Sequence, residues 1–455
     1  MRDDDIIATS NSKRSLYENR EPIYVRMIKG KSHIYRVLVA TILYGSFFIL
    51  PWITWGDRPA IYFDLAARQF HIFSMNFWPQ DFMYLAWMLM IAAFALFFFT
   101  AIAGRLWCGY ACPQTIWTMI FIWVEERIEG SPTQRKKLDK APWSKGKVFK
   151  KLSKHAIWIV IAFITAAGFV SYFYPARELW SGIFSGELSW MVILWLAIFA
   201  WLTYVDAAWL REQVCIYMCP YARFQGVMYD QDTLMVTYDY NKGEPRGSMK
   251  DKDKGQCIDC YMCVQVCPTG IDIRDGSQLA CINCALCVDA CNDVMASIGR
   301  PQDLILFTTQ NVVENDKKVK LLRPRTFGYA GVMLIMVAVL VFNLATRSPV
   351  EASIVRDRDH IYRHIEDKAA NDYWLKVANK SQQEENYTLS IKEDGYHLHK
   401  TPAIHLARGQ AEEYQVIITT DLDKQGSQDL TLQIRNVDGD ISNSIKTRFI
   451  FPPKR

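Results

Sequence analysis

Cys257-Ile258-Asp259-Cys260-Tyr261-Met262-Cys263-Val264-Gln265-Val266-Cys267-Pro268 returns 24 positions later as Cys281-Ile282-Asn283-Cys284-Ala285-Leu286-Cys287-Val288-Asp289-Ala290-Cys291-Asn292. Three thiolates two residues apart grip three corners of an iron–sulfur cube, and in two-cluster ferredoxins the fourth Cys of each run serves the other cluster. Cluster one therefore takes Cys257, Cys260, Cys263 and Cys291. Cluster two takes Cys281, Cys284, Cys287 and Cys267. The expectation is a ferredoxin-like insert, at about 250–300, that carries two 4Fe-4S clusters close together. Zinc is the alternative, since Cys-x2-Cys pairs bind it too, but it wants four ligands per site and leaves the three-plus-one spacing unexplained. One residue departs from the usual run: Asn292 follows Cys291 where Pro is expected. That Pro shapes a turn and is not a ligand.

Outward from this insert the chain is apolar. A bilayer core needs about 20 apolar residues per helix, and five stretches qualify: 37–55, 82–103, 156–174, 188–210 and 327–345. Almost none shows the polar stripe of a soluble helix. The fold class is therefore an α-helical multi-span membrane protein of about five helices. The run 115–124 is too short to span and reads as an interfacial or re-entrant helix. The first span lacks a small-residue cleavage pattern and reads as retained.

Orientation follows the Lys/Arg bias. Residues 1–36 hold eight Lys or Arg and the loop 104–154 holds eleven, against two in 56–81 and one in 175–187. The expected topology puts 1–36, 104–154 and 211–326 in the cytoplasm, with 56–81, 175–187 and 346–455 outside. All twelve cysteines fall in segments assigned to the inside, where free thiols persist. A net charge of +5 over 455 residues gives no reason to expect nucleic acid as a partner.

Four cysteines stand outside the insert. Arg105-Leu106-Trp107-Cys108-Gly109-Tyr110-Ala111-Cys112-Pro113 follows the second span, and Arg211-Glu212-Gln213-Val214-Cys215-Ile216-Tyr217-Met218-Cys219-Pro220 follows the fourth. Residues at i and i+4 share a helix face, and a Pro re-starts or disturbs the helix. If the repeat is structural, the four thiolates meet near a pseudo-twofold axis. Soft thiolates select Cu(I), zinc or iron–sulfur centres. Thiol–disulfide chemistry and plain packing of small side chains stay open beside them. Asp206, close to the end of the fourth span, is an acid suited to protons or metal, or one that snorkels. Met83, Met88 and Met90 read as core or lipid-facing residues.

No Cys-x2-Cys-His haem site and no Gly-x-Gly-x-x-Gly dinucleotide fingerprint occur, so electrons arrive from a partner or from quinol in the membrane. Residues 346–370 are charged and read as a linker or short helix. From 371 to 455 short alternating runs (373–378, 387–392, 414–419, 430–435 and 447–451) suggest an Ig-like β-sandwich without cysteine.

With these motifs in place, the chain closely resembles the cytochrome c oxidase accessory family CcoG/FixG/RdxA. The resemblance rests on Leu16-Tyr17-Glu18, both Cys-x3-Cys-Pro motifs, the double ferredoxin run, Val355-Arg356-Asp357-Arg358 and the tail from Asn371-Asp372-Tyr373. It implies a protein of the bacterial inner membrane that reduces Cu(II) to Cu(I) for assembly of a high-affinity haem–copper oxidase. Cys108, Cys112, Cys215 and Cys219 would then form a transient copper site. Oxidase subunits, copper chaperones or a copper transporter become the implied partners beside membrane lipid. The donor, quinol or a cytoplasmic reductant, is left open, as is homo-oligomerisation. The alternatives are an electron conduit from the quinone pool to another redox partner and a non-enzymatic assembly scaffold.

Overall fold

A computed structural model describes residues 22–451, apart from 57, 252–253, 358–359, 366–367, 382, 401–402, 422–423 and 437–440. Leu16-Tyr17-Glu18 and Arg358 lie outside the described residues. The chain forms two compact units. One holds the described residues to Leu65 together with Phe82–Ala338, and the other holds Ala66–Asp81 with the described residues from Val339 onward.

Among the described residues five helices are long and apolar enough to cross a membrane: Lys31–Trp52, Pro79–Ala103, Lys145–Val170, Trp190–Leu210 and Pro324–Ala345. Large apolar side chains such as Phe82, Leu89 and Leu334 point outward along them, which suits lipid as the surrounding solvent. The third begins eleven residues before the expected 156, because Ser144 caps it by accepting a hydrogen bond from the Lys147 amide at 3.2 Å. In the fourth, α-helix ends at Tyr204 and a π-turn covers Val205–Leu210, closed by the Arg211 amide on the Asp206 carbonyl at 2.8 Å. Arg211 then takes a left-handed φ of 45°, and a second π-turn follows at Val214–Met218. Such turns recur at functional sites.

The basic loop between the second and third spans is helical, with Leu106–Tyr110, Pro113–Glu129 and Pro132–Lys140. The short apolar run 115–124 is the middle of the 17-residue helix Pro113–Glu129, whose polar end extends it. That helix is not among the five long apolar ones.

The insert between the fourth and fifth spans is framed by strands Met235–Tyr238 and Ile305–Thr308, paired antiparallel. Between them lie the two cysteine runs and two helices, Met262–Gln265 and Leu286–Ser297.

In the second unit two antiparallel sheets face each other. One is ordered Tyr396–Lys400, Ala411–Thr420, Lys368–Asn379, Val350–Arg356, and the other Ile404–Leu406, Glu385–Ile391, Ser427–Arg435, Ile441–Ile450. Alternate residues of facing strands, Tyr373, Leu375 and Val377 against Leu430, Leu432 and Ile434, are fully buried between the sheets. This period-2 burial is the pattern of a sandwich. It corrects the expected linker 346–370. Val350–Arg356 pairs with Lys368–Asn379 over seven residues, and its charged residues lie along a sheet edge, where alternation is hard to see. Gln69–Ile72 and Met75–Phe77 form a hairpin within the same unit.

Candidate iron–sulfur and thiol site

The two cysteine runs fold alike residue by residue. Asp259 and Tyr261 take left-handed φ values of 54° and 56°, and Asn283 and Ala285, at the same offset of 24, take 54° and 57°. Tyr261 and Ala285 each cap the helix that follows. Alternating left- and right-handed residues turn successive amides into a concave anion-binding nest, as in many iron–sulfur sites. The helices differ in length because of one residue. Pro268 after Cys267 prevents continuation, so the first helix stops at Gln265. Asn292 permits it, so the second runs through Cys291 to Ser297.

The expected quartets line two separate spaces. Cys257, Cys260, Cys263 and Cys291 border one of about 360 Å³, walled by Met295, Leu304 and Ile305. Cys267, Cys281, Cys284 and Cys287 border the other, of about 330 Å³, which Cys263 also touches. Among the described residues no three Cys, His, Asp or Glu side chains converge as ligands of a single ion. Thiols ringed around a space fit a cube with one iron per ligand, and fit zinc poorly, because zinc needs four donors at bonding distance from one point. Burial pushes the thiols of Cys263, Cys281 and Cys291 up to about 12 and raises those of Cys267 and Cys287 as well. Coordination is what ionises such thiols.

The second quartet lies directly against the first Cys-x3-Cys-Pro motif. A Cβ on Gly109 would stand 2.8 Å from the Ile282 carbonyl oxygen, 2.9 Å from that of Asn283 and 3.0 Å from the Cys284 Cα. Arg105, 1% exposed, donates to the Cys281 carbonyl at 3.3 Å and to the Ala222 carbonyl. It thus ties the first motif to the cluster loop and to the helix after the second motif. Arg36 donates to the Gly109 carbonyl at 3.0 Å. Asp289, just before Ala290 and Cys291, accepts the amides of Ser32 and His33 at 3.2 and 3.0 Å, capping the first span from the insert.

Both motifs build the same local form. A short helical turn ends, Cys112 or Cys219 becomes the N-cap, and Pro113 or Pro220 opens the next helix. The prolines therefore re-start the helix, and each i, i+4 pair straddles a break instead of sharing one helical face. The Cys112 thiol accepts from the amides of Gln114 and Thr115, and Cys108 donates to the Gln225 side chain at 3.7 Å. The four thiols sit within electrostatic reach of one another. Burial raises Cys112 and lifts Cys108 to about 11 and Cys215 to about 12. A cavity of about 590 Å³ joins Cys215 and Gln114 to Pro268, Thr269 and Ile282 of the insert.

Comparison with known proteins agrees with this layout. A 4Fe-4S dicluster domain model matches residues 210–310, a 4Fe-4S binding domain model matches 85–129 with Cys108 and Cys112 inside it, and a model of the Ig-like fold at the C-terminus of FixG matches 340–452. Proteins RdxB and RdxA of Cereibacter sphaeroides are each 37% identical over 83% of this chain and 83% of their own, and the nitrogen fixation protein FixG of Rhizobium meliloti is 36% identical over 86% and 83%. The chain belongs to the FixG/RdxA family. A crystal structure of a FixG-related protein from Vibrio parahaemolyticus, 28% identical, covers 22% of this chain and 95% of that one with a TM-score of 0.20.

In this FixG/RdxA-family chain the structure adds Arg36, Arg105, Gly109, Gln225 and Asp289 to the residues read from spacing. One of them left a trace in the sequence. The paired motifs differ at their second position, Gly109 against Ile216, and only the glycine lets a backbone approach so closely.

Proposed function

We propose that this iron–sulfur membrane protein reduces Cu(II) to Cu(I) at its paired thiols, in the service of assembling a haem–copper oxidase. A bound 4Fe-4S cluster supplies single electrons, and Cu(II) takes one to become Cu(I). Thiolates favour the reduced ion. The observation that carries the reading is the backbone contact at Gly109, which seats the loop of Cys281 and Cys284 on the Cys108 turn with no side chain between them. Copper is the substrate here and not a resident centre.

The reading carries a sidedness, with the insert and paired motifs in the cytoplasm, the Ig-like domain in the periplasm and the helices in the inner membrane. The Lys/Arg distribution supports it. Copper chaperones, a copper transporter or oxidase subunits are the partners it calls for.

The test uses anaerobically purified protein with dithionite-reduced clusters and a Cu(I)-specific chelator as readout. Cu(II) is expected to be reduced, and Cys108→Ser or Cys215→Ser to slow the rate at least tenfold while the EPR signals of the clusters persist. Unchanged rates in both variants would remove the membrane-edge thiols from the mechanism.

A further inference from the structure

A larger cavity, of about 1510 Å³ and open on one side, lies among the first, third and fourth spans. About 680 Å³ of it is open to water-sized groups, within the range of about 300–1,000 Å³ common for small-molecule sites, so a ring and part of a long apolar tail have room. Its walls are mostly apolar and aromatic, with Phe47, Phe169 and Phe199 among them. Thr165, Thr203 and three larger polar groups break the pattern, and the Thr165 hydroxyl already donates to the Ile161 carbonyl at 2.9 Å. The Tyr44 hydroxyl and the Trp117 indole N–H are buried without a hydrogen-bond partner. Asp206 borders the space from the π-turn and makes no ion pair among the described residues. Tyr44 and Trp117 meet edge to face at 6.4 Å, and Tyr44 lies within electrostatic reach of Asp206, so the three mark one polar end.

We propose that this cavity binds the ring of a membrane quinol. An acyl chain would cover the walls and leave two buried polar atoms, the Tyr44 hydroxyl and the Trp117 N–H, unanswered beside the half-buried Asp206, a cost of about 1–3 kcal/mol for each buried atom. A quinol hydroxyl satisfies them together: its O–H donates to the Asp206 carboxylate, and its oxygen accepts from Tyr44 and Trp117. The same cavity is bordered by Trp107, Ala111, Pro113 and Met218, which flank Cys108, Cys112 and Cys219. The inference deepens the electron-transfer reading and rests on it, naming the class of donor. Loss of two electrons and two protons turns a quinol into a quinone. Asp206 takes the first proton and water the second, and the electrons leave singly to acceptors of the iron–sulfur class.

The full chain in phospholipid nanodiscs, exposed anaerobically to a photoactivatable azido-quinol and mapped by mass spectrometry, tests this. Label is expected in 43–47, 107–117 and 199–210, displaced by excess short-tailed quinol. Asp206→Asn and Tyr44→Phe, which alter single atoms, are each expected to weaken displacement about tenfold. Ala166→Trp, which fills the space, should abolish labelling in protein that keeps its iron content. Label spread over lipid-facing surfaces, label that quinol does not displace, or affinities unchanged in both single-atom variants would overturn the site. The probe reports binding and not turnover, so the two readings fail separately. A labelled cavity without Cu(II) reduction removes copper alone. Copper reduction by dithionite-treated protein with no labelled cavity removes the quinol site alone.

Discussion

Gly109 occupies a position where a single methyl group meets three backbone atoms of the loop 282–284, all at 3.0 Å or less. Backbone cannot swing aside as a flexible side chain does, so Gly109→Ala must shift either the Cys108 turn or the cluster loop. Overpacking of this kind costs about 1–3 kcal/mol, and here the displaced atoms belong to the loop holding Cys281 and Cys284. Gly109→Val is expected to lose up to about half of the bound iron, with the second cluster's EPR signal falling first. Ile216→Gly, at the matching place in the other motif, should leave iron unchanged. Equal iron loss in both would dissociate the effect from the loop contact. The cysteines themselves were legible in the sequence because their spacing is local. Gly109, Arg105 and Asp289 act on residues more than 170 positions away, and no local spacing encodes such a contact.

At the scale of the element, the helix Pro113–Glu129 is held by charge at its polar end. Glu125, nearly buried, receives Arg211 at 2.6 Å and Arg135 at 3.0 Å, and Glu129 receives Lys151 and Lys154 at 2.9 and 2.8 Å. Arg211 uses both terminal nitrogens, one on each Glu125 oxygen. The network therefore fixes the turn just before the second thiol pair to the helix just after the first. Glu125→Gln leaves buried Arg135 without its carboxylate, and breaking a buried pair in this way costs about 3–5 kcal/mol. Burial raises the Glu125 carboxyl, but Arg211, Lys154 and Arg135 outweigh it and hold the group below its ordinary value of 4.5. Its contribution is thus complete above about pH 4.5 and is lost as pH falls through the lower folded value. Denaturation of the membrane protein in mild detergent should show wild type losing stability on that acid side and Glu125→Gln losing less there. The sequence revealed only half of this helix, since the length rule for spans counts apolar residues and the ion-pairing half has none to count.

At the scale of the molecule, contacts sort the connecting segments into two groups. Ser32, Arg105 and Gly109 touch the insert and Arg36 touches Gly109, so the start of the first span, the loop 104–154 and the region 211–326 must share one side of the membrane. In the other unit Asp81 pairs with Lys380 at 2.9 Å and with Arg347, which also donates to the Asn76 carbonyl at 2.9 Å. The end of the loop 56–81 therefore shares a side with the tail. These are the groupings that the Lys/Arg count gives, although that count uses no contact at all. The contacts are the same whichever group faces the cytoplasm, and the proposed sidedness, with the richly basic group inside, rests on the Lys/Arg bias alone. Alkaline phosphatase, which needs an oxidising compartment for its disulfides, is expected to be active when fused after residue 347 or inserted near residue 66. It should be inactive when fused after residue 130 or 300. A reversed pattern would turn the whole chain over and place the thiols in the oxidising compartment. Activity at 66 without activity at 347 would be more damaging, since it would separate Asp81 from the lysine and arginine that neutralise it.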